Sequence, residues 1–344
     1  MPPLTVLVTA SGAPGTAALL RALRENGERE VRLVGCDMSD LAVGRFLCDS
    51  FATVPPGADP GFATAVLDLC RRKGVEAVLP QSSHDLLGLA EAKEELAGAG
   101  ITVIVSSPET VRRANDKAAC YAELAAAGVP VPAFRRVRGR EAFAAAADEL
   151  GYPGRPVCFK PVASSGSRGF RVLDPEVDRG HQLLHERPGS LALRLEEVLE
   201  LLPYEGGDEL LVMELARGGE RTVDGVAHAG RVVFGHPKTR EAMRAGLAMY
   251  FQTLDDPDLM EVAGRIVAAL GIEHFFNIQL VGELVIEVNP RISTVVYQED
   301  LNLPWLGLKH ALGELSDEEL AAYAARVRPS RRALRYFEQL EWDE

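Results

Sequence analysis

The sequence predicts a mixed α/β and α+β chain, with a doubly wound parallel sheet first and a region of antiparallel strands and helices after it. Three observations support this. A β-branched run at residues 4 to 9, LTVLVT, enters the glycine turn ASGAPGT and then a helical pattern through Leu19, Leu20 and Leu23. The strand signal recurs between helical stretches in VRLVGCD (31 to 37), EAVLP (76 to 80) and ITVIVSS (101 to 107). Beyond VPVP, at 129 to 132, paired strand signals replace the strand-helix alternation. Parallel sheets of this kind bind ligands at the carboxyl ends of their strands, so Ser11, Gly12, Asp37, Gln81, Ser82, His84 and Asp85 are expected along one rim.

The later elements follow from local signals. SPETVRRANDKAACYAELAAAG reads as one helix, opened by Ser-Pro with Glu109 in its first turn and closed by Gly128. An alanine-rich helix, a strand pair around VCFKPV and FRVL, a long amphipathic helix near 190 to 201, and the strand ELLVMEL come next. The polar stretch DRGHQLLHERPGS, 178 to 190, interrupts this pattern and reads as a loop or insertion. RTVDGVAHAG and RVVFGHPK then suggest antiparallel strands, followed by a helix over 257 to 271 and the pair FFNIQLV and ELVIEVNP. The tail RRALRYFEQLEWDE fits either an edge strand or a partner-binding segment.

At 344 residues the chain is long for one core, so two or three domains are expected, and the change of pattern near Pro108 marks a boundary. With 37 basic and 50 acidic residues the formal charge is -13, which repels polyanions and argues against nucleic acid as a partner. Cys36, Cys48, Cys70, Cys120 and Cys158 are odd in number and form no CxxC pair, as expected for free thiols in a reducing compartment. The N-terminus MPPLTVLVT lacks a signal-peptide pattern, and no apolar run reaches the ~18 residues of a spanning helix. The expectation is a cytoplasmic protein without membrane contact, with a homodimer as the default assembly.

VIEVNPRIS, 285 to 293, carries the most chemistry. Glu287 and Asn289 are two positions apart on a strand, so their side chains share a face, and Arg291 continues the row past Pro290. A carboxylate beside an amide oxygen suits Mg2+, which completes its shell with water and substrate phosphates, and a neighbouring guanidinium can hold a further anionic oxygen. In FKPVASSGSRGF, 159 to 170, Lys160 ends an apolar strand. Ser164, Ser165, Gly166, Ser167, Arg168 and Gly169 exceed what a tight turn needs and suit a backbone cover over phosphates. ELLVMELARGGERTVDG leads from Glu214 through a glycine bend to Glu220 and Asp224, a pattern able to bond a purine edge and ribose hydroxyls. HPKTREAMRAG gathers Lys238, Arg240 and Arg244 in an acidic protein, where an anionic ligand would need them.

Taken in order, NDK with Lys117, FKP with Lys160, the glycine-serine loop, GGERTVDG, KTREAMRAG, FNIQL with Gln279 and IEVNPR resemble the ATP-grasp superfamily, especially its carbamoyl phosphate synthetase-like branch. The resemblance spans nearly the whole chain and implies a Rossmann-like N-terminal parallel sheet (1–110) followed by a two-lobed ATP-grasp fold, its small lobe at 111–212 and its C-terminal lobe with the metal site at 213–344. It implies that Lys117 and Lys160 contact ATP, that residues 164 to 169 cover the triphosphate, and that Glu214 and Leu215 form the adenine hinge with Glu220 on the ribose. Gln279, Glu287 and Asn289 would be metal ligands for one or two Mg2+ ions, with Mn2+ a substitute, and Arg291, Arg244 and Lys238 would serve the reacting groups. Gln279 stands where many members carry a carboxylate, which weakens one ion's site. For Gln279 and Glu287 to share a face, the connection between their strands must be odd in length or bulged, so a three-residue loop or bulge containing Gly282 is expected.

The resemblance implies a ligase that activates a small carboxylate as an acyl phosphate and joins it to an amine, with no side-chain nucleophile and no catalytic part for Cys158 or His236. Phosphorylation of bicarbonate, carbamate or another small molecule stays open, as does a non-catalytic nucleotide-binding module. An NAD site at ASGAPGT with Asp37 is a minor alternative, because the first glycine of GxGxxG is missing.

Overall fold

The computed structural model describes residues 2–162, 168–186, 191–244, 247–292 and 301–343. The first sheet is wholly parallel: β1 (Leu4–Val8), β2 (Val31–Asp37), β3 (Ser50–Thr53), β4 (Ala77–Leu79) and β5 (Thr102–Val103) lie in the order β3-β2-β1-β4-β5. Val6, Leu7 and Val8 have no exposed surface, since helices cover both faces of a central parallel strand. Chain order reverses between β1 and β4, the switch point at which such sheets bind ligands. β5 keeps two residues of the longer strand expected there.

The second sheet contains β6 (Phe134–Val137), β7 (Val157–Pro161), β8 (Arg171–Leu173), β9 (Ala192–Leu193) and β10 (Leu210–Glu214), in the order β6-β10-β7-β8-β9. Its pairs are antiparallel except β8 with β9. Three expectations need correction around it. The single helix expected over 107 to 128 is two, Pro108–Asn115 and Lys117–Ala126. Asp116 leaves helical geometry and caps the second by accepting from the N–H groups of Ala118 and Ala119, each at 3.0 Å. The supposed loop from 178 holds a helix, Arg179–His185, capped by Asp178, which accepts from the His181 N–H at 2.9 Å. None of its residues is buried, so it has no apolar stripe to announce it; residues 187–190 lie outside the described set. The amphipathic helix near 190 to 201 shrinks to Leu195–Leu201.

The remaining strands are β11 (Glu220–His228), β12 (Arg231–Thr239), β13 (Glu241–Arg244), β14 (Leu247–Gln252), β15 (His274–Val281), β16 (Leu284–Asn289) and β17 (Arg332–Leu334). They form a sheet β12-β11-β15-β16 and a smaller one, β13-β14-β17. The tail is thus an edge strand over Arg332–Leu334. Beyond it the Trp342 ring lies 4.6 Å from that of Phe46.

The chain divides into two compact units: 1–114 with 220–279 and 288–344, and 115–219 with 280–287. In the first, Leu19, Leu20 and Leu23 pack in one core with Phe275, Trp305 and Leu306. In the second, Phe143 and Phe159 meet edge to face at 5.0 Å in one core, and Tyr121, Cys158, Leu211 and Met213 belong to another. All five cysteines are free, and burial pushes Cys48, Cys70, Cys120 and Cys158 up to about 12, so none is a thiolate near neutrality. No described helix is long and apolar enough to cross a membrane.

Candidate active site

In the second unit the key group is Lys160, at the end of β7 and 9 % exposed. Alternation puts it on the same face of β7 as Cys158, above an apolar floor of Ala118, Leu211 and Met213. Its ammonium donates to the Tyr121 hydroxyl and the Ile286 carbonyl, each at 3.3 Å. Tyr121 in turn donates to the Ile286 carbonyl at 2.7 Å. Burial brings Lys160 down to about 8, partly opposed by the Glu287 carboxylate and reinforced by the neighbouring Lys117 charge. Lys117 begins its helix, donates to the Val162 carbonyl at 3.4 Å, and is likewise lowered by burial against the pull of Glu287. Two lysines and one carboxylate therefore share an electrostatic neighbourhood suited to a polyanion with a cation.

Glu214 closes β10, where its N–H donates to the Ala133 carbonyl at 2.8 Å, and Leu215 packs against the Tyr121 core. Gly169 has φ of 73°, and a Cβ there would come 2.6 Å from Pro161 Cδ. Ser164, Ser165, Gly166 and Ser167 lie outside the described residues.

In the first unit a polar network runs through the buried face of β11, β12 and β15. Lys238, 1 % exposed, forms an ion pair with Asp224 on the neighbouring strand, with the Phe251 ring 5.7 Å from its ammonium. Burial lowers Lys238 to about 8, opposed by Asp224. Asn277 Nδ2 donates to Asp224 Oδ1 and to Thr222 Oγ1, both at 2.8 Å. Asn277 Oδ1 accepts from Gln279 Nε2 at 2.8 Å and from Asn289 Nδ2 at 3.4 Å. Lys238, expected to face an anionic ligand, is instead committed to this network.

Arg291 reaches the N-terminal rim: its Nε donates to Ser83 Oγ at 3.2 Å, and Ser83 makes a long 3.5 Å contact with Asn289 Oδ1. On that rim the Gly12 N–H donates to Asp37 at 2.8 Å, Thr9 donates to Asp85 at 2.6 Å, and Thr16 donates to Gln81 at 3.3 Å. Ser11 is fully buried, while Ser82 caps the next helix by accepting from the His84 N–H. Burial raises Asp85 to about 6, with the Thr9 bond and Arg291 opposing and Asp37 adding to the rise. Glu220 pairs with Arg240 at 3.0 Å, and the exposed Arg244 lies over the Phe337 ring at 4.7 Å.

The connection between β15 and β16 is two residues, Gly282 and Glu283, rather than three. Gly282 has φ of 56°, the left-handed conformation that a two-residue hairpin turn uses, and it donates to the Gly219 carbonyl at 3.0 Å. An unbroken ladder from such a turn would put Gln279 and Glu287 on opposite faces, which counts against their sharing one ion, and would likewise separate Asn277 and Asn289. Their amides meet, so the ladder does not keep that register as far as Asn289.

Sequence reasoning missed Tyr121, Thr222, Ser83 and Asn277. Asn277 was reachable, because it precedes Gln279 by two on a strand and so shares its face. Tyr121, inside an alanine-rich helix, gives no such signal.

Comparison with known proteins places this arrangement in a class. A family model described as ATP-grasp in the biosynthetic pathway with Ter operon matches residues 207–333, and one described as PylC-like, N-terminal domain, matches residues 6–104. The chain carries a PylC-like N-terminal domain and an ATP-grasp domain, and is homologous to carbamoyl phosphate synthase large chains. It is 28% identical over 282 residues to the N-terminal section of that large chain from Methanopyrus kandleri, covering 79% of this chain and 48% of the relative. The curated relatives are longer, and the chain spans between 18% and 48% of their length. Among solved structures, biotin carboxylase from Campylobacter jejuni superposes with a TM-score of 0.63 at 19% identity, over 92% of this chain and 72% of that one. An L-amino acid ligase from Bacillus licheniformis gives 0.63 at 16% identity, over 96% and 78%. These likenesses establish the ATP-grasp fold.

Proposed function

We infer that this chain is an ATP-dependent ligase that activates a small-molecule carboxylate as an acyl phosphate and couples it to an amine, releasing ADP and phosphate. The observation that carries this reading is the Lys160 ammonium held against the carbonyl of Ile286, next to Glu287 in the same strand. A buried lysine within electrostatic reach of a carboxylate suits a metal-bound polyphosphate.

In this reading Lys117 and Lys160 bind ATP phosphates, with residues 164 to 167 and Gly169 as their cover. Glu214 and Leu215 hold the adenine edge, and Glu220 the ribose. Gln279, Glu287 and Asn289 are the oxygen set assigned to Mg2+, because carboxamide and carboxylate oxygens suit a hard cation. When bound, Mg2+ would neutralise phosphate charge. Arg291, anchored on Ser83, steadies the group in transfer, and Arg244 meets the substrate. Lys238 acts through Asp224. Orientation of the two reactants against ATP supplies the rate, so no side-chain nucleophile takes part. The reading includes a cytoplasmic homodimer acting on small molecules, without nucleic acid or membrane.

The similarity to carbamoyl phosphate synthase favours a second reading in which bicarbonate or carbamate is the phosphoryl acceptor. One experiment separates the two: ADP release screened across amino acids, other small carboxylates and bicarbonate, each with and without an amine. Release that requires a carboxylate and an amine together supports the ligase. Release with bicarbonate alone supports the second reading, and no release with any acceptor would overturn both.

A further inference from the structure

Three observations fix the direction of one buried amide. Asp224, 2 % exposed and in an ion pair with Lys238, presents carboxylate oxygens as acceptors. Asn277 must therefore turn its NH2 group toward Asp224 Oδ1, at 2.8 Å. Independently, Thr222 gives its hydroxyl proton to the Ile278 carbonyl at 2.8 Å, so its oxygen can only accept from Asn277, also at 2.8 Å. Both protons of the Asn277 amide are thereby used on one side, and its oxygen faces the other way.

The consequence passes to the next two amides. Gln279 and Asn289 converge on that single oxygen and must present NH2 groups to it, at 2.8 and 3.4 Å. Gln279 Oε1 and Asn289 Oδ1 are then turned away from Asn277, and Asn289 Oδ1 faces the Ser83 hydroxyl at 3.5 Å. A neutral carboxamide binds a hard cation only through oxygen, and a flipped amide would offer it an N–H dipole of the wrong sign. We propose that Asn277, locked by Thr222 and by the Lys238–Asp224 pair, is a positioning residue that turns the Gln279 and Asn289 carboxamides into oxygen ligands for the nucleotide's divalent cation. This inference rests on the metal assignment in the proposed function. It also explains a buried ion pair whose own contribution to stability is small or unfavourable, because desolvation of two charges offsets their attraction.

The test is a Mg2+ titration of fluorescent ATP-analogue binding, with metal-free binding of the same analogue as reference. Two variants are compared with wild type: Asn277→Leu, which removes the shared acceptor at similar volume, and Asp224→Asn/Lys238→Met, which removes both buried charges together. For each folded variant the Mg2+ concentration at half-saturation should rise about tenfold or more, as for other groups that orient metal ligands, while metal-free affinity stays within about twofold. Asp224→Glu, which keeps the carboxylate, should restore most of the wild-type Mg2+ dependence. A folded Asn277→Leu protein with wild-type Mg2+ dependence would overturn the proposal. So would equal losses with and without metal, which mark general loosening of the core. Wild-type binding indifferent to Mg2+ would sink the functional reading itself, a result distinct from failure in the variants alone.

Discussion

The Lys160 ammonium lies 3.3 Å from the carbonyl of Ile286, 126 residues along the chain and one before Glu287. Its partners here are a neutral hydroxyl and a carbonyl dipole, while burial works against its charge. A lysine so placed gains more from an incoming phosphate than a surface lysine does, because less competing water must be displaced.

Nucleotide affinity should therefore fall as pH rises through about 8, where Lys160 loses its proton. Lys238 also stands at about 8, so Lys160→Arg, whose guanidinium stays charged, identifies the source by flattening the profile. For stability the sign is opposite. Between about 8 and the ordinary 10.5 the folded protein binds fewer protons than the unfolded chain, so both lysines make thermal stability rise with pH across that window. Isothermal titration with an ATP analogue and thermal unfolding, both between pH 7 and 10, would check the two trends.

Replacing Glu287 with alanine should abolish ATP turnover while leaving the fold intact. The residue is only half-buried, so its removal opens no core cavity. ADP release together with far-ultraviolet circular dichroism tests this; retained turnover would sink the metal assignment.

Acid should destabilise the protein through two histidines, His236 fully buried and His274 half-buried. Burial lowers His236 and His274 from the ordinary 6.5 to about 3, so the folded state takes up fewer protons than the unfolded chain between those values. Stability is fully present above 6.5 and is lost as pH falls toward 3. Asp85, raised to about 6, works in the other direction, but only between 3.8 and that value. Unfolding midpoints from pH 7.5 to 4.5 should decline, and His236→Leu should make the decline shallower.

Gly225→Ala should be strongly destabilising. A Cβ there would sit 2.2 Å from the Phe234 carbonyl oxygen and 2.5 Å from the Phe276 ring, and neither backbone nor ring can yield cheaply. The expected loss is about 2 kcal/mol or more by urea unfolding. Gly264→Ala, with open space around it inside a helix, should instead gain up to about 1 kcal/mol.

The N-terminal sheet was legible because strands buried on both faces read as unbroken apolar runs, as LTVLV does. IEVNPR was legible because alternation makes Glu287 and Asn289 a row. What escaped depends on single polar atoms or on distant partners. The helix break at Asp116 rests on one carboxylate accepting from two N–H groups, inside a pattern whose apolar periodicity continues across it. The burial of Lys238 depends on Asp224, fourteen residues away, and on the register that sets Asp224 opposite His236 and Thr222 opposite Lys238. The two-residue turn follows from Gly282 reaching a left-handed conformation, which the count of residues alone does not reveal.

Neither compact unit is a continuous stretch of chain, for the second borrows residues 280–287 from the middle of the first. A gene fragment ending at 219 would leave the Pro130 carbonyl without the Val285 N–H, and Tyr121 and Lys160 without the Ile286 carbonyl. Dissection by truncation would thus leave the Lys160 site misassembled, and circular permutation with new ends in an exposed loop is the cutting strategy this architecture permits.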